Sequence, residues 1–482
     1  MFLRLLSVVL LFSPINLLAD DWTEYASLLP KGTQVSYLVV NPENNHVITQ
    51  SQQTILRTPA SIQKLLTATA ATLYLGKNFH YRTFIEGQKE KIKQNHYNGD
   101  LHFHFVGDPT LLRADIRHML ADLKRLGIKK IKGDLLINQS HFSGYQWSDG
   151  QPWNDLGVCY TSPANAIIVN KNCVQGNLSV SRDDPTKARL FIPDYEPISL
   201  SSDVSVVTKA QREEQFCELE VTRDSHNRYH LWGCMVPRKR AFPLAFSVND
   251  PFSYAQKIIA SELSTLGIKL TGKILLDPDI QDRFVTPNKI LVKHDSQSLS
   301  ELLQLMMKKS NNLIADSLFK TIGGAYFHQP GNFRNGALAI KEILKAQNID
   351  LENAYIADGS GLSRHNLMST ELFMAVLNFV YKNDKQLNLL STFPISGIDG
   401  TLKNYQGLRQ VGLKGKVIAK TGSMKGVSNL LGLIKTPKGD RLFVIMLNGY
   451  NLAEFVNRNN QQTKNKYSFL SAFIKQVISS PG

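Results

Sequence analysis

Apolar and polar positions change rhythm several times along this 482-residue chain. Residues 61–75 place Ile62, Leu65, Leu66 and an Ala/Thr/Leu-rich continuation at helical spacing, stopping at Gly76. Thr58 and Pro59 just ahead of them read as an N-cap and a first turn. From about residue 79 the period shortens, as in 80–85 and 100–105, and predicts short strands. Helical spacing returns over 298–323 and 334–347. Two strand runs, 427–435 and 441–447, flank Pro437-Lys438-Gly439-Asp440, a hairpin signal. The last helix sets Phe469, Leu470, Phe473, Ile474, Val477 and Ile478 on one face, the pattern of a core-packing helix.

A weak repeat lies in the strand-rich part. Residues 116–138 pass through Leu126-Gly127-Ile128-Lys129 to Leu135-Leu136-Ile137, and residues 254–277 through Leu266-Gly267-Ile268-Lys269 to Ile274-Leu275-Leu276. Each unit reads as helix, Gly stop, strand. The pair brackets residues 139–250, which suggests one domain with another nested inside it. The expected division is 20–78 with 290–482 as one domain, 79–166 with 242–289 as a second, and 167–241 as a third.

Composition is ordinary for a globular chain, 43% hydrophobic and 20% charged. Arg4, the apolar run from Leu5 to Phe12, the breakers Pro14 and Asn16, and Leu17-Leu18-Ala19 predict a signal peptide over 1–19. Cleavage is expected after Ala19, with a retained anchor as the alternative because Leu17 is not an ideal residue there, although the run is short for a membrane span. Export favours disulfides among Cys159, Cys173, Cys217 and Cys234, for which three pairings exist. Cys217-Glu-Leu-Glu-Val and His230-Leu-Trp-Gly-Cys234 read as strands flanking a polar turn, which favours Cys217–Cys234 and hence Cys159–Cys173. Metal binding needs tighter spacing. The net charge of +15 suits an anionic partner such as a cell-wall polymer or a membrane surface. The basic residues form no long block, which argues against nucleic acid.

Three motifs then stand in order: Ser61-Ile62-Gln63-Lys64, Ser310-Asn311-Asn312 and Lys420-Thr421-Gly422. Alone, the first two are weak. Ser-x-x-Lys recurs at Ser317 and Lys320, and Ser-x-Asn at Ser225 and Ser247. Together they describe acyl transfer through a serine ester. Ser61 needs a base because a hydroxyl is a poor nucleophile at neutral pH, and Lys64 lies one helical turn away. Lysine serves only if burial and a nearby cation, here Lys420, lower its pKa. Ser310 beside Lys64 suits a proton relay, and the Asn312 amide a substrate carbonyl. Lys420-Thr421-Gly422 follows the strand signal Val417-Ile418-Ala419, and Ser423 offers an oxyanion N–H. No Gly-x-Ser-x-Gly, His-Glu-x-x-His or Glu-x-x-Leu-Asn segment occurs. A Ser-His-Asp hydrolase, a metallopeptidase and a class A β-lactamase are therefore disfavoured. A serine β-lactamase of another kind and a non-catalytic wall-binding protein remain the alternatives.

With Val106-Gly107-Asp108-Pro109-Thr110-Leu111, Pro152-Trp153-Asn154-Asp155, the cysteines and Asp358-Gly359-Ser360-Gly361-Leu362-Ser363-Arg364-His365-Asn366, the chain resembles the class C low-molecular-mass penicillin-binding proteins. These are D-alanyl-D-alanine carboxypeptidases and endopeptidases. The resemblance implies a multidomain α/β fold: a β-lactamase-like α/β/α domain with a central antiparallel sheet, split by a large, mostly β insertion holding a nested small domain. It implies that Ser61 is acylated, that Lys64 is the base, that Ser310 and Asn312 complete the centre, and that Lys420 and Thr421 bind a terminal carboxylate. Asp155 and Tyr160 match residues that the insertion brings to the site, and Arg364 matches one that contacts the substrate's diaminopimelate side chain. Lys425, Thr401 and Tyr160 depart from the family's usual Gln, Ser and Phe, which bears on side-chain recognition. The implied partners are peptidoglycan stem peptides, with β-lactams as inhibitors. The signal peptide implies a periplasmic location, the scattered basic residues and export no nucleic acid, and the short apolar run at most peripheral membrane association; no cofactor or metal is expected. The resemblance leaves a homodimer open.

Overall fold

The computed structural model describes residues 23–278, 289–450 and 466–480. The expected signal peptide over 1–19 lies outside them. The central feature is a five-stranded antiparallel sheet. Its spatial order is Val417–Met424, Gly426–Thr436, Gly439–Tyr450, Gln34–Asn41, His46–Ser51. Successive side chains of a strand face opposite ways, so this sheet builds two cores at once. Leu38, Val40, Leu431 and Val444 face a layer of helices that includes Lys64–Tyr74, Leu299–Lys309, Asn312–Phe327, Phe333–Lys345 and Thr370–Lys382. Tyr37, Val39, Leu430 and Phe443 face the other way, onto the helix Lys466–Ser479 through Phe469, Phe473 and Val477. The result is the α/β/α domain that the sequence implied.

The repeat units pack side by side. The helices Arg113–Arg125 and Pro251–Leu266 stop at Gly127 and Gly267, both with positive φ. Their strands then pair in parallel, Leu135 with Ile274 and Ile137 with Leu276, over a second core of Ile116, Leu120, Tyr254 and Ile258. A third core gathers Leu178, Val204, Tyr229, Leu231 and Phe246. The strand Phe242–Ser247, just past residue 241, pairs with Cys173–Val180 in this part of the chain. Cys159 is bonded to Cys173 and Cys217 to Cys234.

Two local expectations are corrected. The helical pattern over 298–323 is two helices. Leu299–Lys309 ends at Ser310, which adopts φ 55°, and the Asn311 side chain accepts the Ile314 N–H at 2.9 Å to cap the next helix. Apolar spacing runs through the break because both helices face one core, so periodicity alone hides it. Thr58 is also no N-cap. Ala60 takes φ 49° and starts a 3-10 turn, Ala60–Gln63, ahead of Lys64–Tyr74, while Thr58 is held by its backbone from Asn429 and Asn448.

Phe473, on the last helix, is fully buried against Tyr37 of the sheet. Phe473→Ala should cost about 3–5 kcal/mol, a cavity-forming loss. Denaturant unfolding followed by tryptophan fluorescence would show it as a lower transition midpoint, and an unchanged midpoint would contradict this packing.

Candidate active site

Ser61 sits where the sheet and the helical layer come closest. The Asn429 side chain lies on the inner strand and donates to the carbonyls of Thr58 at 2.9 Å and Pro59 at 2.7 Å, while its oxygen accepts the Leu447 N–H at 3.0 Å. Two glycines permit the approach. A Cβ at Gly422 would stand 2.6 Å from the Pro59 carbonyl oxygen, and one at Gly361, which has φ 82°, 1.9 Å from that of Ala60. Any side chain at either position would push the serine turn away.

Lys64 is fully buried and donates to Ser61 Oγ at 2.9 Å, Asn312 Oδ1 at 2.6 Å and the Ser360 carbonyl at 2.6 Å. These three acceptors match an ammonium's three protons. Burial brings its pKa down to about 8, and the carboxyl groups of Asp316 and Asp358 oppose that fall. Asp316 accepts the N–H groups of Gly359 at 3.1 Å and Ser360 at 2.9 Å, and burial pushes its pKa up. Asp358 accepts from Ser148, Gly361, Ser363 and Asn366. The loop that supplies the Ser360 carbonyl to Lys64 is thus tied down from both sides.

Lys420 is the second buried amine. It donates to Ser310 Oγ and to the Thr421 carbonyl, both at 2.8 Å, and burial, with Lys64 adding to it, holds its pKa well below the usual value. The Ser310 hydroxyl, the expected proton relay beside Lys64, accepts from Lys420. The left-handed turn at Ser310 carries it towards the strand. The Asn312 amide, expected to hold a substrate carbonyl, is engaged at both ends, its Nδ2 donating to the Tyr160 carbonyl at 2.9 Å.

Val417–Met424 is the outermost strand of its sheet. Its free side is covered upstream, where the Ser396 N–H donates to Val417 and the Ala419 N–H to Pro394. Alternation then points the backbone groups of Thr421 and Ser423 out along the same side. Thr421 Oγ1 also bonds Thr401 Oγ1 at 2.9 Å. Ser61 therefore lies beside an edge able to add an extended peptide.

A protein-family model, the D-Ala-D-Ala carboxypeptidase 3 (S13) family, matches residues 21–468. The chain belongs to the S13 family. It is 38% identical over 447 residues to the D-alanyl-D-alanine carboxypeptidase DacB of Haemophilus influenzae, covering 92% of this chain and 91% of that one. The crystal structure of penicillin-binding protein 4 from Haemophilus influenzae superposes with a TM-score of 0.87 at 36% identity, covering 95% of this chain and all of that one. The same protein complexed with a β-lactam gives 0.83 at 34% identity, with the same coverage. The D-alanyl-D-alanine carboxypeptidase of Actinomadura sp. (strain R39) is 27% identical, over 81% of this chain and 73% of its own length.

Of the remaining candidates in this S13 chain, Tyr160 touches the centre through its carbonyl, which accepts from Asn312. Asp155 and Tyr160 lie on two short 3-10 turns, Trp153–Asp155 and Cys159–Thr161, linked because Thr161 Oγ1 donates to the Asp155 carbonyl. Burial and then the Asp155 carboxylate, which accepts its hydroxyl, raise the Tyr160 pKa. Arg364 is exposed and donates to the Lys425 carbonyl at 3.1 Å, so those two meet through Lys425's backbone. The second Ser-x-x-Lys is interior: Ser317 Oγ has no partner, and Lys320 is 1% exposed with its pKa lowered to about 7 by burial. Motif reading assigned no role to Asp316, Asp358 or Asn429. For Asp316 and Asn429 the only signal was a polar residue inside an apolar run, whereas Asp358 opens the run that carries the family resemblance.

Asn429→Ala removes the bonds to both carbonyls ahead of Ser61 and orphans the Leu447 N–H. It should cost about 2–3 kcal/mol, with slower acylation by a fluorescent penicillin under conditions where the protein stays folded. Wild-type acylation in the folded variant would show that Asn429 does not position the serine.

Proposed function

We propose that this serine-type D-Ala-D-Ala carboxypeptidase works through an ester on Ser61. What carries this reading is the bond between Ser61 Oγ and an amine that burial has brought close to neutrality. Neutral Lys64 takes the Ser61 proton as Oγ attacks the carbonyl of the penultimate D-alanine. The N–H groups of Ser61 and Ser423 hold the oxyanion. Collapse breaks the C–N bond, and the leaving amine takes a proton relayed from Lys64 through Ser310, which Lys420 orients. Water then cleaves the ester and releases the shortened peptide. Lys420 and Thr421 hold the carboxylate of the departing residue.

Stem peptides of peptidoglycan are the substrate, and the same chemistry cuts a D-alanyl cross-link when the leaving amine belongs to a second stem peptide. Asp155, paired with Tyr160, faces the cationic end of the diaminopimelate side chain, and Arg364 with Lys425 its carboxylate side. β-Lactams acylate the same serine. No helix among the described residues is long and apolar enough to cross a membrane. The two disulfides support a periplasmic setting, and the net charge of +15 supports contact with an anionic wall or membrane surface. The division at 78/79, 166/167, 241/242 and 289/290 is our reading of the domains.

Treatment with penicillin should add one penicilloyl group to Ser61, seen by intact-protein and peptide mass spectrometry, and Lys64→Ala should abolish it. An adduct at Ser317, or none on active protein, would sink the assignment. Steady penicillin turnover would favour a β-lactamase instead. Because only the neutral amine accepts a proton, the acylation rate should fall about tenfold per pH unit below the Lys64 pKa of about 8 and level off above it. A rate flat from pH 6 to 9, measured by stopped flow, would exclude Lys64 as the base.

A further inference from the structure

The buried Lys320 is not used by the reaction above, yet it spans two parts of the molecule. It lies on the helix Asn312–Phe327 and donates to the Tyr145 carbonyl at 2.7 Å and the Ala164 carbonyl at 2.8 Å. Its amine also sits 4.5 Å from the ring centre of Phe333 and 5.5 Å from that of Phe142. A buried amine needs such partners, and here carbonyls and ring faces supply them. Tyr145 and Ala164 are the two ends of one loop, closed by the Ala164 N–H donating to Gln146 at 2.9 Å. That loop carries Asp155 and Tyr160.

The loop has two flanks with different holds. Residues 148–150 are tied to the 358–366 loop through Ser148 to Asp358, Ser363 to the Asp149 carbonyl, and Arg364 N–H to the Gly150 carbonyl. The Tyr160 flank meets the catalytic layer through the Asn312 bond to the Tyr160 carbonyl and through Lys320. Asn312, Asp316 and Lys320 stand four residues apart, on one stripe of one helix. The residue that binds Lys64 and the residue that binds the loop's base thus share a rigid support.

We propose that Lys320 is a positioning residue for substrate side-chain recognition, holding the 145–164 loop so that Asp155 and Tyr160 keep their place over the Ser61 centre. This rests on the reading of Asp155 as the partner of a substrate ammonium. Lys320 touches no substrate. It makes selection for the side-chain cation depend on the same helix that carries Asn312.

The test compares two pentapeptides ending in D-Ala-D-Ala, one with diaminopimelate and one with its side-chain amine acetylated. Lys320→Met fills the aromatic cage but donates to neither carbonyl. It should raise KM for the free-amine peptide by about tenfold, the worth of a charge-assisted hydrogen bond, and change kcat/KM for the acetylated one by less than about threefold. Lys320→Gln replaces it if the Met variant does not fold. Lys320→Arg, which keeps a cation, should restore part of the preference. Ser317→Ala, one turn back and unpartnered, should change nothing. Asp155→Asn should lose the preference in the wild type and add little in the Lys320→Met background, as for two residues acting as a unit. Hydrogen exchange should quicken over 158–164 and not over 148–150.

An equal loss for both peptides, or full additivity of Lys320→Met with Asp155→Asn, would overturn the proposal. If Asp155→Asn alone leaves the preference intact, the Asp155 reading fails. The exchange experiment then decides by itself whether Lys320 orders the loop.

Discussion

A lysine amine taken wholly out of water must find acceptors, and Lys64 finds three, each from a different part of the chain. Ser61 comes from its own helix start, Asn312 from the helix beyond the second motif, and the Ser360 carbonyl from a loop pinned by Asp316 and Asp358. Losing one partner leaves a buried donor unsatisfied, a loss of about 1–3 kcal/mol. The centre therefore assembles together or not at all. The same burial that demands partners also lowers the pKa, so the packing that orders the site is what makes lysine a usable base.

Lys420 adds a second buried amine, whose pKa burial lowers and the neighbouring Lys64 lowers further. Their acceptors differ, with Ser310 and the Thr421 carbonyl serving Lys420. Proximity of two cations would cost more if both were fully charged. The neighbouring charge thus adds to burial in lowering Lys420, while burial alone lowers Lys64.

Much of this was legible in the chain. The order of the motifs, the strand before Lys420 and the helix after Ser61 follow from spacing alone, and the repeat around 116–138 and 254–277 is visible as parallel strand pairs in the fold. The break at Ser310 was not legible, because apolar residues keep one phase across it. Asp316 was invisible for another reason, and Asp358 stood in a family run without a role of its own. A carboxylate in a helix or a Gly-rich loop looks like surface until packing buries it. Thr58 looked like a cap because its residue type and place were right, but a left-handed Ala60 changed the geometry downstream.

The pairing of the strand Gln34–Asn41 has a consequence in time. Its partner on one side, Gly439–Tyr450, is made near the end of the chain: Tyr37 waits for Ile445 and Val39 for Phe443. Non-local pairs of this kind form late, after the intervening chain has collapsed into its own cores. Asn429, which anchors the turn before Ser61, arrives in the same last stretch. A growing chain thus carries its nucleophile for most of its synthesis without the scaffold that arms it, and activity begins only when the final hairpin closes the sheet.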